Sequence, residues 1–310
     1  MVKVDLITGF LGSGKTTFIK KYAEYLIESG ENICILENDF GAVNVDMMLL
    51  QDLMGEKCEL EMVAGGCDED CHRRRFKTKL ISMGMCGYDR VLIEPSGIFD
   101  VDEFFDVLRE EPLDRWYKIE SVYTIVDAGM QRDLSESSRY MLAQQVACAG
   151  KVIMSRSQCV SEMQEKSTEE FMQSVMKEFQ CDRILAKDIY RKDWDLLTEE
   201  DFQELTKSGY HTDKCVKLWI DQREAYGSVY YMNLPIQMEE LKKAADHIMH
   251  DAECGKVFRI KGFLKKNDGD WLELNITHDQ ISIKPIEKGQ EVLIVIGEQL
   301  NQERIDYYLK

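Results

Sequence analysis

"VKVDLITGFLGSGKTTFIKKYAEYLIESG", Val2 to Gly30, decides the fold. Its opening, "VKVDLIT", is a short apolar run that reads as a strand buried on both faces. Its closing part repeats apolar residues at helical spacing and stops at Gly30, a C-cap signal. Between them stands "GFLGSGKT", Gly9 to Thr16, which satisfies G-x-x-x-x-G-K-[ST] with the strand before and helix after that the pattern requires. In such a loop Gly9, Gly12, Ser13 and Gly14 let backbone N–H groups curl around phosphate oxygens. Lys15 supplies charge to the β- and γ-phosphates, and the Thr16 hydroxyl is suited to Mg2+. The helix that starts at Lys15, Thr16 and Thr17 aims its positive end at the same anion. These residues predict a nucleoside triphosphate as ligand.

Working outward, "NICILEN", "RVLIEPS", "SVYTIVDA" and "KVIMSR" read as further strands buried on both faces, separated by helical stretches. That alternation predicts an α/β fold, a P-loop NTPase domain over residues 1–200 with a mainly parallel sheet and flanking helices. "RILAKDI" is expected to add its last strand. Residues 201–226 are mostly polar and read as a connector, with "DWDLLTEEDFQELTKSG" the best helix around it. From "GSVYYMNLP" the order becomes strand, helix "MEELKKAADHIMH", strand "KVFRIKGFL", strand "WLELNI", strand "VLIVIGE" and a final helix. This predicts a small α+β domain over 227–310 with a mainly antiparallel sheet.

A chain of 310 residues is long enough for two domains. Its net charge of −18, with acids along the whole length, disfavours a nucleic-acid partner, which needs a basic face. No apolar run reaches membrane-spanning length, so no membrane partner is expected. Ten cysteines are too scattered for a disulfide framework, and the first residues already read as a strand rather than a signal peptide. The expected setting is a reducing cytoplasm.

Further site candidates follow the strands. "YDRVLIEPSG" ends a buried strand on Glu94, where open α/β sheets place ligand chemistry. A carboxylate there suits magnesium-bound water or the attacking water, and the Gly97 N–H suits the γ-phosphate. "ENDFGAVNVD" offers Asp39 and Gly41 after the second strand, while Asp46 has the simpler reading of a turn residue. Lys15, Asp39 and Glu94 are the catalytic candidates, and Thr16, Asp39 and Glu94 the Mg2+ candidates. "AGGCDEDCHRRR" carries Cys67 and Cys71 at i, i+4, which would share a helical face and chelate a soft ion, with His72, Glu69 or Asp70 completing a set of three. Two ordinary thiols beside a solvated acidic turn explain the same letters. His247, His250 and Cys254 have metal-like spacing, but a solvated helix face explains them better. Cys34 lies in a buried strand and should be inert.

Together these segments resemble the CobW-type family of P-loop GTPases, relatives of the nickel-insertion GTPases of hydrogenase and urease maturation. "TGFLGSGKTT" is similar to the family's opening motif, "NDFGAVNVD" to its N-E-F-G-x-x-x-x-D segment and "IEPSG" to its E-x-S-G element. The tail "RIKGFL…DGDWLEL…VLIVIGEQL" resembles the CobW C-terminal domain. The resemblance implies GTP hydrolysis coupled to handling Zn2+ or Co2+ as cargo, or to activating a client metalloenzyme or cobalamin-dependent protein. A nucleotide-dependent dimer stays open. Two departures bear on this. Where the family carries N-K-x-D for the base, this chain has "SRSQ", with Ser155, Arg156 and Gln158. Gln158 has one acceptor and cannot make the bidentate contact of an aspartate to guanine, so ATP stays open beside GTP. Where the family carries G-C-x-C-C, this chain has "GCDEDC", which keeps the first cysteine and places acids where thiolates should follow. A nucleotide-dependent binding module or metal sensor without hydrolysis is the alternative, and a small-molecule kinase a more distant one.

Overall fold

The structure is a computed structural model, and it describes residues 1–39, 45–64, 69–218, 226–266, 269–278, 280–287 and 289–310. The chain forms two compact units, Met1–Leu218 and Trp219–Lys310. The first is built on seven strands: β1 (Val2–Thr8), β2 (Ile33–Asp39), β3 (Cys58–Ala64), β4 (Arg90–Pro95), β5 (Tyr117–Asp127), β6 (Lys151–Ser155) and β7 (Ile189–Tyr190). They lie in the order β3-β2-β4-β1-β5-β6-β7, and every pairing is parallel.

The central strands are mostly apolar because helices cover both faces. Successive residues of a strand point to opposite sides, and both Leu6 and Ile7 are fully buried. On one side Leu6, Leu36 and Ile93 pack with Phe76 and Leu80 of α3 (Glu69–Met83) and Phe104 of α4 (Val101–Arg109). On the other, Ile7, Ile35, Leu92 and Ile125 pack with Phe18, Tyr22 and Leu26 of α1 (Lys15–Glu28). The remaining helices of this unit are α2 (Val45–Leu50), α5 (Leu113–Trp116), α6 (Glu136–Cys148), α7 (Glu162–Glu178) and α8 (Glu199–Leu205).

Three features of this unit differ from expectation. Strand β3, with Glu59 and Glu61 alternating among apolar residues, is an edge strand that the search for continuous apolar runs passes over. "RILAKDI" is not a strand: only Ile189 and Tyr190 pair with β6. Arg183 is instead buried, donating to the carbonyls of Val146 and Ala147 at 2.8 and 2.9 Å and to Asp188 at 2.7 Å. Nor are residues 201–218 a connector. Phe202 stacks on Tyr25 with ring centroids 5.2 Å apart, and with Leu205 it joins the core beneath α1. The Gly209 carbonyl then accepts from the Val122 N–H at 2.9 Å.

The second unit contains β8 (Tyr226–Met232), α9 (Met238–His250), β9 (Lys256–Lys265), β10 (Trp271–Ile276), β11 (Ile281–Ile286), β12 (Val292–Glu298) and α10 (Gln302–Leu309). Its five-stranded antiparallel sheet runs β11-β10-β9-β12-β8. The strand missing from the expectation is β11, an exposed edge that carries Pro285, a residue that only edges tolerate well. His247 and His250 lie on the exposed face of α9, while Cys254 is fully buried, so this trio does not gather as ligands. No helix among the described residues is long and apolar enough to cross a membrane.

Because Phe202 closes the core beneath α1, Phe202→Ala in the full chain should destabilise the first unit by roughly 3 kcal/mol. Urea unfolding followed by tyrosine and tryptophan emission would show it, whereas a connector residue would leave the midpoint unmoved.

Candidate nucleotide-binding site

The turn from β1 into α1 is shaped by its glycines. Gly9 has φ +146° and a Cβ built on it would stand 2.3 Å from the Ile125 carbonyl oxygen, so the loop lies directly on β5. Gly14, at φ +102°, brings the chain into α1, whose first turn has no side-chain cap. The first-turn N–H groups of a helix lack intrahelical acceptors, so here they suit phosphate oxygens. Lys15 and Thr16 are nearly buried, and Thr17 is exposed beside them. The Lys15 ammonium donates to the Gly9 carbonyl at 3.0 Å. All seven loop and helix residues expected from the sequence thus lie in one turn.

Strand β4 closes the site from one side. The Thr16 hydroxyl donates to Glu94 Oε1 at 2.8 Å, and Glu94 is only 4% exposed. Its other oxygen, Oε2, is buried with no hydrogen-bond donor among the described residues. Glu37 of β2 is in register with Glu94 on the neighbouring parallel strand and is as deeply buried. Burial pushes the Glu94 carboxyl above the ordinary glutamate range, the charge of Asp46 pushes it further, and Lys15 pulls it partly back. A carboxylate oxygen left without a donor beside a threonine hydroxyl is the hard, oxygen-rich setting that suits Mg2+, so Thr16 and Glu94 fit that ion. Gly97 follows two residues after Pro95, and a Cβ there would stand 2.7 Å from the Leu11 nitrogen. Its carbonyl accepts from Gln145 Nε2 at 3.0 Å. The "IEPSG" turn therefore rests against the phosphate loop itself.

Strand β6 closes the other side. The Ser155 hydroxyl donates to the Ser13 carbonyl at 2.7 Å. Arg156, in the left-handed region at φ +56°, donates to the Gly12 carbonyl at 3.2 Å and pairs with Asp127. Gln158 is exposed in the short turn that follows.

The metal candidates divide. Cys67 and the side chain of Asp39 lie outside the described residues. Cys71 is half-buried on α3, and His72 is 1% exposed with Nε2 2.7 Å from Asn38 Oδ1. Consecutive helical residues point about 100° apart, so His72 faces the end of β2 rather than sharing a face with Cys71. Among the described residues no three His, Cys, Asp or Glu side chains gather as a metal site. Part of the basic run is structural, since Arg73 bonds Glu110 at 2.7 Å. Glu37 and the influence of Asp46 escaped the sequence reading. A carboxylate directly after the apolar run "ICIL" of β2 was the available signal for Glu37.

Residues 3–182 match the sequence profile of the CobW/HypB/UreG nucleotide-binding domain. The chain belongs to the CobW/HypB/UreG family. Its second part, residues 228–310, matches the C-terminal domain of the cobalamin synthesis protein cobW. Among its relatives, the zinc chaperone YjiA of Escherichia coli is 24% identical over 275 residues, covering 85% of this chain and 81% of YjiA. The zinc chaperone YeiR of the same organism is 29% identical over 174 residues, which is 56% of this chain and 52% of YeiR, so that match spans about half of the relative. The zinc-regulated GTPase metalloprotein activator 1 of Schizosaccharomyces pombe is 21% identical over 350 aligned positions, covering 97% of this chain and 83% of that protein. In this CobW-family chain the fold, a parallel sheet with the phosphate loop at its β1–α1 turn, is that of a P-loop NTPase.

The raised carboxyl makes a stability prediction. Near neutral pH the folded chain must hold Glu94 charged in a buried place, or keep a proton the unfolded chain has lost. Folding stability therefore falls as pH rises from the ordinary glutamate range through the raised value. Glu94→Gln keeps an acceptor for Thr16 and removes this cost, so without nucleotide the variant should melt higher than wild type at pH 7, and the gap should close as the pH is lowered.

Proposed function

We propose that this CobW-family chain hydrolyses a purine nucleoside triphosphate, GTP by kinship with ATP open, and uses the cycle to hand on a metal ion. Zn2+ or Co2+ is the cargo, and the recipient is a metalloenzyme or cobalamin-dependent client in the cytoplasm. The observation that carries the reading is the Thr16–Glu94 hydrogen bond, with the donorless Glu94 oxygen beside it. The names borne by the relatives, two zinc chaperones and a zinc-regulated GTPase metalloprotein activator, support the metal half. The nine described cysteines are all free thiols, in keeping with a reducing compartment.

The residues divide the work. The α1 N-terminus and Lys15 bind the β- and γ-phosphates and stabilise the negative charge there. Thr16 and Glu94 would hold Mg2+, which supplies neutralisation of charge developing on the phosphoryl oxygens. Glu94 also orients the water that attacks the γ-phosphorus as the bond to the β-phosphate oxygen breaks. Asp39, ending β2, is the further candidate for the Mg2+ shell.

Turnover should require the ionised Glu94. It should therefore show an acid limb, and Glu94→Gln should lose about 10²-fold or more in kcat. A flat acid limb, or full turnover in the variant, would remove Glu94 from the reaction, and absence of turnover in wild type would leave the non-hydrolysing reading.

The metal half rests on Asn38. Its side chain meets His72 of α3, the helix that follows the Cys67 segment, and its carbonyl accepts from the Ser96 N–H in the "IEPSG" turn at 2.9 Å. A change at the phosphate side thus has a direct mechanical route to the cysteine segment. Zn2+ affinity, measured with a chelating dye, should differ several-fold between the GDP and non-hydrolysable GTP-analogue states and drop in Cys67→Ala. Equal affinity in both nucleotide states would refute the coupling.

A further inference from the structure

Past β7 the chain makes a 3-10 turn, Trp194 to Leu196, that side-chain bonds hold in place. The Asp193 carboxylate accepts from the Asp195 N–H at 3.0 Å, and Lys21 of α1 pairs with Asp195 at 3.0 Å. The indole Nε1–H donates to the Met154 carbonyl at 3.1 Å, one residue before Ser155. The ring lies tilted on Phe18 with centroids 5.6 Å apart. A Cβ built on Gly14 would stand 3.4 Å from indole Cη2 and 3.8 Å from the Ser155 Cβ. Trp194, the last glycine of the phosphate loop and the first residue of "SRSQ" therefore meet at one point. The indole is only partly buried there, its one polar atom already satisfied.

With the phosphates on the α1 N–H groups, as proposed above, a base that extends toward "SRSQ" would pass Gly14 and Ser155, which stand side by side. We propose that Trp194 forms one wall of the base site and binds a purine through its π face. The inference rests on the nucleotide-hydrolase reading above. Aromatic contact of this kind is tolerant of base identity, since every base has a π face, and larger for the larger purine rings. It supplies affinity in a chain whose Gln158 cannot pair bidentately with guanine. Trp194 is thus a binding residue that favours purines over pyrimidines and serves GTP and ATP alike. The competing role is a strut that only props the phosphate loop.

Calorimetric titration of wild type, Trp194→Leu and Trp194→Phe with GTP, ATP and UTP, each with Mg2+, separates these. Trp194→Leu should weaken GTP and ATP by about ten-fold each, or ~1.4 kcal/mol, with a smaller loss for UTP, and Trp194→Phe should recover most of the purine affinity. If wild type binds none of the three, the nucleotide reading itself fails. If wild type binds them and Trp194→Leu binds GTP and ATP equally well, or loses all three alike, the base wall is overturned and the hydrolase reading stands. Should Trp194→Leu not fold, emission decides. Adding GTP should quench wild-type tryptophan fluorescence and leave Trp194→Phe, with Trp116, Trp219 and Trp271 intact, largely unquenched. An equal quench in both would overturn the proposal.

Discussion

One hydrogen bond, from the Thr16 hydroxyl to Glu94 at 2.8 Å, ties the loop after β1 to the end of β4. Taking a carboxylate out of water costs several kcal/mol unless partners compensate it. Glu94 accepts from Thr16, with an acidic neighbour in register and a lysine nearby. Such an arrangement is poor for stability and good for holding a cation and a water, and so the site's chemistry is set by what folding leaves unsatisfied. The close approach of Gly97 to Leu11 follows from the same fastening, because the turn after β4 must lie against the loop that ends at Thr16.

The phosphate loop is therefore held from both sides of β1. Glu94 and Gly97 press from β4, while Ser155 and Arg156 bond it from β6. Strand order places these two strands on opposite sides of the β1–β5 pair, which is why one parallel sheet suffices to assemble a site from residues more than a hundred positions apart.

Much of this was readable from the sequence, and what was not has physical reasons. Strands β1, β2, β4, β5 and β6 announce themselves because burial on both faces leaves few polar letters. Strands β3 and β11 do not, because an edge with one wet side carries Glu59 and Glu61, or Lys284 and Pro285, where a central strand would carry valine. Phe202 and Leu205 looked like incidental apolar letters in a polar stretch, and only the aromatic stack on α1 gives them their place. In the site, Lys15, Thr16 and Glu94 belong to motifs that spacing reveals. Glu37 needs the β2–β4 register before it becomes Glu94's neighbour. His72 stands next to Cys71 in the chain yet turns away from it, a rotation that letters do not display.

The bracing by Ser155 and Arg156 separates two duties that an N-K-x-D segment performs together. Support of the loop runs through a hydroxyl and a guanidinium to backbone carbonyls. Position 158, the expected base-reading residue, stands apart at the exposed end of the turn. Because the two sets of atoms do not overlap, the reading position is free to drift over evolutionary time without loosening the phosphate grip. A substitution at position 158 would then leave the bonds that brace the loop as they are.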